Sequence, residues 1–155
     1  MRPNHTSDPT QIGFFLIPQF SMLSMSAAVE PLRIANRLSQ RILYKWSFYS
    51  KDFLPVRASN DIEVAATRDM ADTVGLDALI VVSGIEVKDH DDPTLSKWLR
   101  RLSRQSITLG STSTGSLLLA RAKLLNQSPC TIHWENIDSF KEEFPLLNIT
   151  GELYE

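Results

Sequence analysis

Short, continuous apolar runs constrain the fold of this chain more than any other feature. One run covers residues 12–17 and ends at Pro18, and a second, Ala78-Leu79-Ile80-Val81-Val82, ends at Ser83-Gly84. Runs of this kind are typical of strands that are buried on both faces of a parallel sheet. Since helical patterns alternate with the runs from end to end, the sequence predicts an α/β layered domain with a mainly parallel sheet.

The helical pattern is clearest after Asp92-Pro93, because Asp92 can cap a helix and Pro93 suits its first position. An earlier helix is predicted over residues 23–38, and Pro31 either marks its true start or kinks it. The remaining predicted elements are a strand at 44–50, two short extended pieces around a turn within 53–64, a strand at 107–110, a helix that ends at about 122, a turn at Asn126-Gln127, a strand at 130–132, a helix at 136–144 and a strand at 146–150.

Composition excludes several classes of function. The formal net charge is −2 and no basic block occurs, so the chain lacks the electrostatic footprint of a nucleic-acid-binding surface. One cysteine excludes an internal disulfide, and no apolar run approaches the roughly 20 residues that span a membrane. Residues 1–11 are polar and are predicted to be a disordered tail rather than a secretory signal, followed by one domain over 12–155. We therefore expect a cytoplasmic protein.

A turn of small residues follows the strand predicted at 107–110. The segment Gly110-Ser111-Thr112-Ser113-Thr114-Gly115 leads into an apolar helix, which is the pattern of a nucleophile elbow. Such a turn lifts the side chain at its tip, here Ser113, above the sheet and directs backbone N–H groups at a bound group. Because ligands of parallel sheets bind outside the carboxyl ends of the strands, we expect Ser113 and Gly84 to meet at one rim. His133 follows Ser113 by 20 positions.

Ser113 and His133 admit three interpretations. They could be a nucleophile and its base, but a serine nucleophile also needs an acid that orients the base, and neither Glu135 nor Asp138 is an obvious one. They could instead form the floor of a pocket that binds a ligand without cleaving it, which is the interpretation that we favour. They could also form a structural turn without any ligand.

Four further features of the sequence have residue types that occur in binding or metal sites. Trp134 could hold a quaternary ammonium by cation–π attraction, although core packing is the more ordinary role of a tryptophan. Glu30 could pair with a cationic ligand, although an exposed helix position is the default. Cys130 is predicted to be a small buried residue that points away from His133, because side chains alternate along an extended segment. The run Lys88-Asp89-His90-Asp91-Asp92 is predicted to be a solvated turn rather than a metal site, and no cofactor is expected.

Three segments together resemble the class I glutamine amidotransferase-like (PfpI-like) superfamily. They are the elbow, the apolar helix Leu117-Leu118-Leu119-Ala120 after it, and Thr131-Ile132-His133-Trp134-Glu135. More narrowly, they resemble the N-terminal sensor domain of AraC-type transcriptional regulators. Segments 20–23, 28–38, 55–60 and 140–145 are similar to regulators that respond to carnitine, glycine betaine and related amines. The resemblance covers residues 12–154 and implies a flavodoxin-like three-layer α/β sandwich.

The departures from this family are as informative as the matches. Catalytic relatives have a cysteine at the elbow tip and a glutamate at the start of the first helix, whereas this chain has Ser113 and Ser24 at the matching positions. The resemblance therefore implies a degenerate site without enzyme activity. It implies instead a domain that senses a small-molecule effector and forms a homodimer, with these candidate ligand-binding residues: Ser113, Thr114, His133, Trp134, Gly84, Ser24 and Glu30.

The family pattern also includes a C-terminal helix-turn-helix module. No such module is found within residues 1–155, so we expect a C-terminally truncated form that reaches DNA only through that module. No membrane partner is expected. The effector implied by the resemblance is a betaine, carnitine or an amino-acid derivative, whose carboxylate would suit the elbow N–H groups. The competing hypotheses are a PfpI-like hydrolase or amidase that uses Ser113 with His133, and a structural dimer domain without a ligand.

Overall fold

A five-stranded parallel sheet forms the centre of the computed structural model, which describes residues 8–125 and 128–155. In chain order the elements are β1 (Thr10–Leu16), α1 (Met22–Ser39), β2 (Tyr44–Ser50), β3 (Val56–Arg57), β4 (Glu63–Val64), β5 (Arg68–Asp69), β6 (Ala78–Val82), α2 (Pro93–Arg104), β7 (Thr108–Thr112), α3 (Ser116–Arg121) and α4 (Ile137–Glu143). The strand order of the sheet is β5-β2-β1-β6-β7, and β3 pairs with β4 in a separate antiparallel pair. The predicted α/β domain with a parallel sheet is therefore confirmed.

Two hydrophobic clusters cover the two faces of the sheet, because successive side chains of a strand point to opposite faces. Within β1, Phe15 packs into the cluster that includes α2 and α3, whereas Phe14 and Leu16 pack into the cluster that includes α1 and β3. The ring of Phe15 lies 5.0 Å from that of Trp98 in α2. The buried face of α2, with Leu99 at its centre, is the one that the helical periodicity predicts.

Side-chain caps begin helices α1 and α2. The Asp92 carboxylate accepts the N–H of Leu95 at 2.9 Å, and Pro93 is the first helical residue of α2, as predicted. The Ser21 hydroxyl accepts the N–H of Ser24 at 3.2 Å and begins α1. Helix α1 continues through Pro31, so this proline does not mark its start.

Strands β2 and β6 have the predicted bounds, whereas other boundaries differ. Strand β1 begins at Thr10, inside the predicted tail, because Thr10 pairs with Tyr44 of β2. Strand β7 continues to Thr112, two residues beyond the predicted end. Most of the predicted tail, residues 1–7, and the predicted turn at Asn126-Gln127 lie outside the described residues.

The prediction of strands at 130–132 and 146–150 is wrong, because neither segment forms a strand in the structure. A single bridge joins Cys130 to Ile149, with the Cys130 N–H donating to Asn148 at 3.0 Å and the Thr150 N–H donating to Cys130 at 2.9 Å. Cys130 and Ile132 of the first segment and Leu147 and Ile149 of the second pack in or against the core cluster that α2 joins, whereas Leu146 is exposed. Cys130 is buried there, as predicted.

Three smaller points complete the fold. Helix α4 follows a 3-10 turn over Trp134–Asn136 and begins one residue later than predicted. The polar two-residue strand β5 has no apolar pattern and was not predicted. In the described part of the chain, no helix combines the length and the apolar character that crossing a membrane requires.

Candidate functional site

A cavity of about 610 Å³ opens where the chain leaves the carboxyl ends of β1, β6 and β7. The structure brings Ser113, Thr114, His133 and Gly84 together in its wall, so the expected meeting of Ser113 and Gly84 at one rim is confirmed. Ser21, from the start of α1, completes this side of the wall. We call this space the elbow cavity. The role of the four predicted residues in ligand binding stays a prediction.

The turn at the tip of the elbow is strained. Ser113 has a φ of 57°, in the left-handed region, which costs a residue with a Cβ atom roughly 1–2 kcal/mol. Two backbone hydrogen bonds hold the turn: the Gly115 N–H donates to Thr112 at 3.0 Å, and the His133 N–H donates to Ser113 at 3.1 Å. The second bond ties the His133 segment directly to the elbow tip.

Close backbone approaches fix the shape of the rim. A Cβ atom on Gly84 would overlap the carbonyl oxygen of Gln19 and lie 2.8 Å from the nitrogen of Ser21. A Cβ atom on Gly115 would lie 2.7 Å from the carbonyl oxygen of Val81. Because both neighbours are backbone atoms, neither glycine can be enlarged without a backbone shift.

Thr114 supports the rim with a hydroxyl that already has a partner. This hydroxyl donates to the carbonyl oxygen of Gly84 at 2.5 Å and lies 3.2 Å from the buried hydroxyl of Ser83. It therefore ties the elbow to the end of β6. Among the hydrogen bonds of the described residues, none involves the Ser113 hydroxyl, so this group can bond to a ligand.

The groups of a serine nucleophile lie near one another but are not joined. Within residues 8–125 and 128–155, no hydrogen bond connects the Ser113 hydroxyl to the His133 imidazole. The Nδ1 atom of His133 lies 3.7 Å from Oε2 of Glu135, which is too long for a hydrogen bond. A carboxylate thus lies closer to His133 than the sequence suggested, but it does not orient the ring.

Two candidates from α1 lie outside the elbow cavity. Ser24 belongs to the helix cap, and its hydroxyl donates to the carbonyl oxygen of Ser21 at 3.0 Å. It also lies 3.2 Å from the Thr112 hydroxyl, just behind the elbow. Glu30 is an exposed helix residue whose carboxylate bonds to Arg33, and this hydrogen bond lowers the pKa of Glu30.

Trp134 also stays outside the wall of the elbow cavity. Its side chain is 73% exposed, so the interpretation that it packs in the core is wrong. Its ring centre lies 5.7 Å from that of His133, with the planes tilted by 32°. The 3-10 turn that begins after His133 directs this side chain outward.

The loop after β6 supplies site residues that the sequence analysis missed. Glu86, Lys88 and Asp89 line the elbow cavity, and so does Glu135 from the segment after His133. The lining therefore contains three acidic residues and one lysine, and this excess of negative charge favours a ligand with positive charge. The signal was available, because the loop directly follows Gly84 at the carboxyl end of a strand. In the described residues, no group of three or more His, Cys, Asp or Glu side chains could hold a metal ion.

The chain is similar in sequence to known regulators of transcription. The chain is 44% identical over 142 residues to the HTH-type transcriptional regulator CdhR of Pseudomonas aeruginosa, covering 92% of this chain and 42% of CdhR. It is 35% identical over 152 residues to the HTH-type transcriptional regulator GbdR of the same species, covering 98% of this chain and 41% of GbdR. The chain thus spans about two fifths of the length of these relatives. No protein-family model matches it.

Solved structures give the same result. A crystal structure of an AraC family transcriptional regulator from Pseudomonas putida has a TM-score of 0.83 and 30% identity, covering 93% of this chain and 77% of that one. The structure of a ThiJ/PfpI family protein from Pseudomonas syringae has a TM-score of 0.74 and 19% identity, and the match covers 94% of this chain and 58% of that protein's chain. This likeness confirms the expected three-layer sandwich. An isonitrile hydratase of Pseudomonas putida is 30% identical over 126 residues, covering 80% of this chain and 52% of the hydratase.

Proposed function

Because the chain belongs to the AraC family of transcriptional regulators and has the ThiJ/PfpI fold, we propose that it senses a small effector in the elbow cavity. The observation that carries this proposal is the cavity itself, a space of about 610 Å³ at the carboxyl ends of three parallel strands. Its volume suits a small metabolite, and its place is the one where ligands of open α/β sheets bind. Its strained tip, at Ser113, supports a binding role.

The lining of the elbow cavity supports an effector with a cationic group. Glu86, Asp89 and Glu135 can attract an ammonium, while the unbonded Ser113 hydroxyl can donate to a carboxylate. A zwitterion such as glycine betaine, carnitine or an amino-acid derivative meets both conditions. This chemistry agrees with the resemblance to amine-responsive regulators.

Regulation would follow from differential binding. An effector that bridges the elbow and the loop after β6 favours the arrangement in which these two segments lie at bonding distance. That preference has to bias the part of the regulator that contacts DNA, which is a separate helix-turn-helix module. We further propose that the regulator acts in the cytoplasm as a homodimer and has no catalytic activity of its own.

An enzyme of the PfpI-like class is the second candidate. The likeness to isonitrile hydratase and the 3.7 Å approach of Glu135 to His133 favour it. The missing hydrogen bond between the Ser113 hydroxyl and His133 in the described residues argues against it, as does Ser24 in the place of a glutamate.

A binding screen with a parallel activity assay separates these functions. Melting temperature is measured with betaines, carnitine, amino acids and polyamines, and esterase and amidase turnover is measured on the same protein. A concentration-dependent rise without turnover supports the sensor. In that case Ser113→Ala lowers the affinity by about fivefold, one hydrogen bond's worth. Ser103→Ala, on the exposed side of α2, is the matched control.

Two outcomes would contradict the sensor. Turnover that disappears in Ser113→Ala but persists in Ser103→Ala would make the protein an enzyme. If no compound raises the melting temperature and no substrate is turned over, the structural dimer domain is the better account.

A further inference from the structure

A second cavity, of about 530 Å³, opens at the carboxyl ends of β1 and β2, on the side of β1 away from β6. We call it the β1–β2 cavity. Most of its wall is apolar and comes from Phe15 and Leu16 at the end of β1, from Ile17 after it, from Leu54 and Val56 before and in β3, and from Leu95 of α2. None of the residues that carry the proposed effector site at the elbow, apart from Asp89, lines this space.

Ser50, the last residue of β2, gives the β1–β2 cavity an unused hydrogen-bonding group. Its side chain is 2% exposed, and its hydroxyl has no hydrogen-bond partner in the described part of the chain. Tyr49 packs in the cluster with α2, so Ser50 points to the opposite face, where Leu16 and Val56 also line the cavity. A buried hydroxyl without a partner is unfavourable, and such groups in native proteins call for an explanation.

Some of the charged side chains around the β1–β2 cavity form ion pairs, and others do not. The Lys51 ammonium lies 2.8 Å from the Asp92 carboxylate, and its hydrogen bond lowers the pKa of Asp92. Arg57 is likewise paired, with Glu63 at 2.9 Å. Asp52 and Asp89 line the cavity without an ion pair to any residue that the structure describes. The charged groups that line the cavity without an ion pair among the described residues, Asp52 and Asp89, are therefore negative.

We propose that the β1–β2 cavity is a second small-molecule site, which takes a protonated amine with an apolar body and a hydroxyl group. The apolar wall contacts the body of the amine, Asp52 and Asp89 attract its ammonium, and Ser50 bonds to its hydroxyl. The site does not depend on the proposed function of the elbow cavity. The two cavities share Asp89, so the 3-10 turn Val87–His90 contributes to both walls.

Three matched probes test the site by calorimetric titration. Tyramine has the apolar body, the ammonium and the hydroxyl, phenethylamine lacks the hydroxyl, and 4-ethylphenol lacks the ammonium. Tyramine is expected to bind the unmodified protein about fivefold more tightly than phenethylamine, because one hydrogen bond separates the two ligands. In Ser50→Ala the two amines are expected to bind equally, since the protein partner of that hydrogen bond is gone.

The variants separate a ligand role from a structural one. Ser50→Ala removes an unsatisfied polar group, so its melting temperature is expected to stay unchanged or rise while tyramine binding weakens. Asp52→Asn is expected to weaken both amines by about threefold and to leave 4-ethylphenol unaffected, since the site is partly exposed. Asp138→Asn makes the same charge change on α4, away from both cavities, and serves as the control.

Four results would overturn the proposal. They are the absence of saturable tyramine binding, an unchanged preference for tyramine in Ser50→Ala, 4-ethylphenol binding as tightly as tyramine, and tyramine binding that is about fivefold weaker in Ser113→Ala. The last result would place the amine in the elbow cavity, so it also distinguishes a failure of this site from a failure of the proposed effector site.

Discussion

Helix α2 connects β6 to β7, and the elbow rim lies at the carboxyl ends of the same two strands. The two regions are nevertheless held by different kinds of contact. Helix α2 follows local rules: Asp92 caps its first turn, and a regular apolar face, centred on Leu99, packs against the sheet. The elbow rim depends on contacts between segments that are distant in sequence, with a left-handed Ser113 and a glycine at position 84 that touches the chain after β1. The regular region holds the fold together, and the strained region forms the cavity.

The largest effect is expected in the regular region. Leu99→Ala should lower the free energy of unfolding by about 2–5 kcal/mol, because a fully buried leucine leaves a cavity in the core. Leu153→Ala, at a position that is 94% exposed, is the control and should change it by less than about 0.5 kcal/mol. Denaturant midpoints with unchanged slopes measure both. Equal effects would mean that α2 does not pack as described.

The second expected effect is at the rim. Gly84→Ala should cost about 1–3 kcal/mol of stability, because the new methyl group would overlap backbone atoms that cannot move independently. Gly151→Ala introduces the same methyl group into open space and should be close to neutral. The same denaturation experiment applies. A neutral Gly84→Ala would show that the crossover after β1 does not touch β6.

Replacing a serine with glycine is expected to change the free energy of unfolding in opposite directions in the two regions. Ser113→Gly should raise the free energy of unfolding by about 0.5–1 kcal/mol, because glycine adopts a φ of 57° without strain. Ser103→Gly, in the last turn of α2, should lower it by up to about 0.5 kcal/mol, because glycine is a poorer helix former than serine. A loss of stability in both variants would contradict the strained elbow.

The smallest effect concerns the pH dependence of the α2 cap. The hydrogen bond from Lys51, together with the N–H of Leu95, lowers the pKa of Asp92 in the folded protein. A lowered pKa gives stability that is present above the unfolded value, about 4, and is lost as pH falls through the folded value. Asp92→Asn keeps a capping oxygen but removes this ionisation.

The Asp92→Asn variant should therefore lose less stability than the unmodified protein when pH is lowered from about 6 to about 3, with a difference below about 1 kcal/mol. The free energy of unfolding at each pH measures it. Parallel curves for the two proteins would contradict a role for the ionised Asp92. Lys51→Met, which removes only the partner, should reproduce part of the same difference.

The contrast between the regions also explains what could be predicted from sequence. Strand β6 and helix α2 follow from local patterns, namely an apolar run that ends at Ser83-Gly84 and a cap at Asp92. The tip of the elbow follows from its small residues, and the structure places Ser113 there. Local patterns could not show that the apolar segment at 130–132 packs against the core without entering the sheet.

The rest of the elbow cavity depends on tertiary placement. Glu86 and Asp89 reach the cavity because the loop after β6 folds over the rim, which the residue types alone do not indicate. Trp134 and Glu30 have suitable chemistry, but a 3-10 turn exposes the first and Arg33 pairs with the second. Spacing along the chain predicts which residues lie at a strand end, and not which side chains turn inward.

Calorimetric titration with glycine betaine and with carnitine would show whether the elbow cavity holds an effector with a cationic group. We expect saturable binding of at least one of them, weakened in Glu86→Gln by the loss of a charge in the cavity wall and unchanged in Glu142→Gln on α4. Binding that is equal in all three proteins, or the absence of binding of either compound, would mean that the elbow cavity does not hold such an effector.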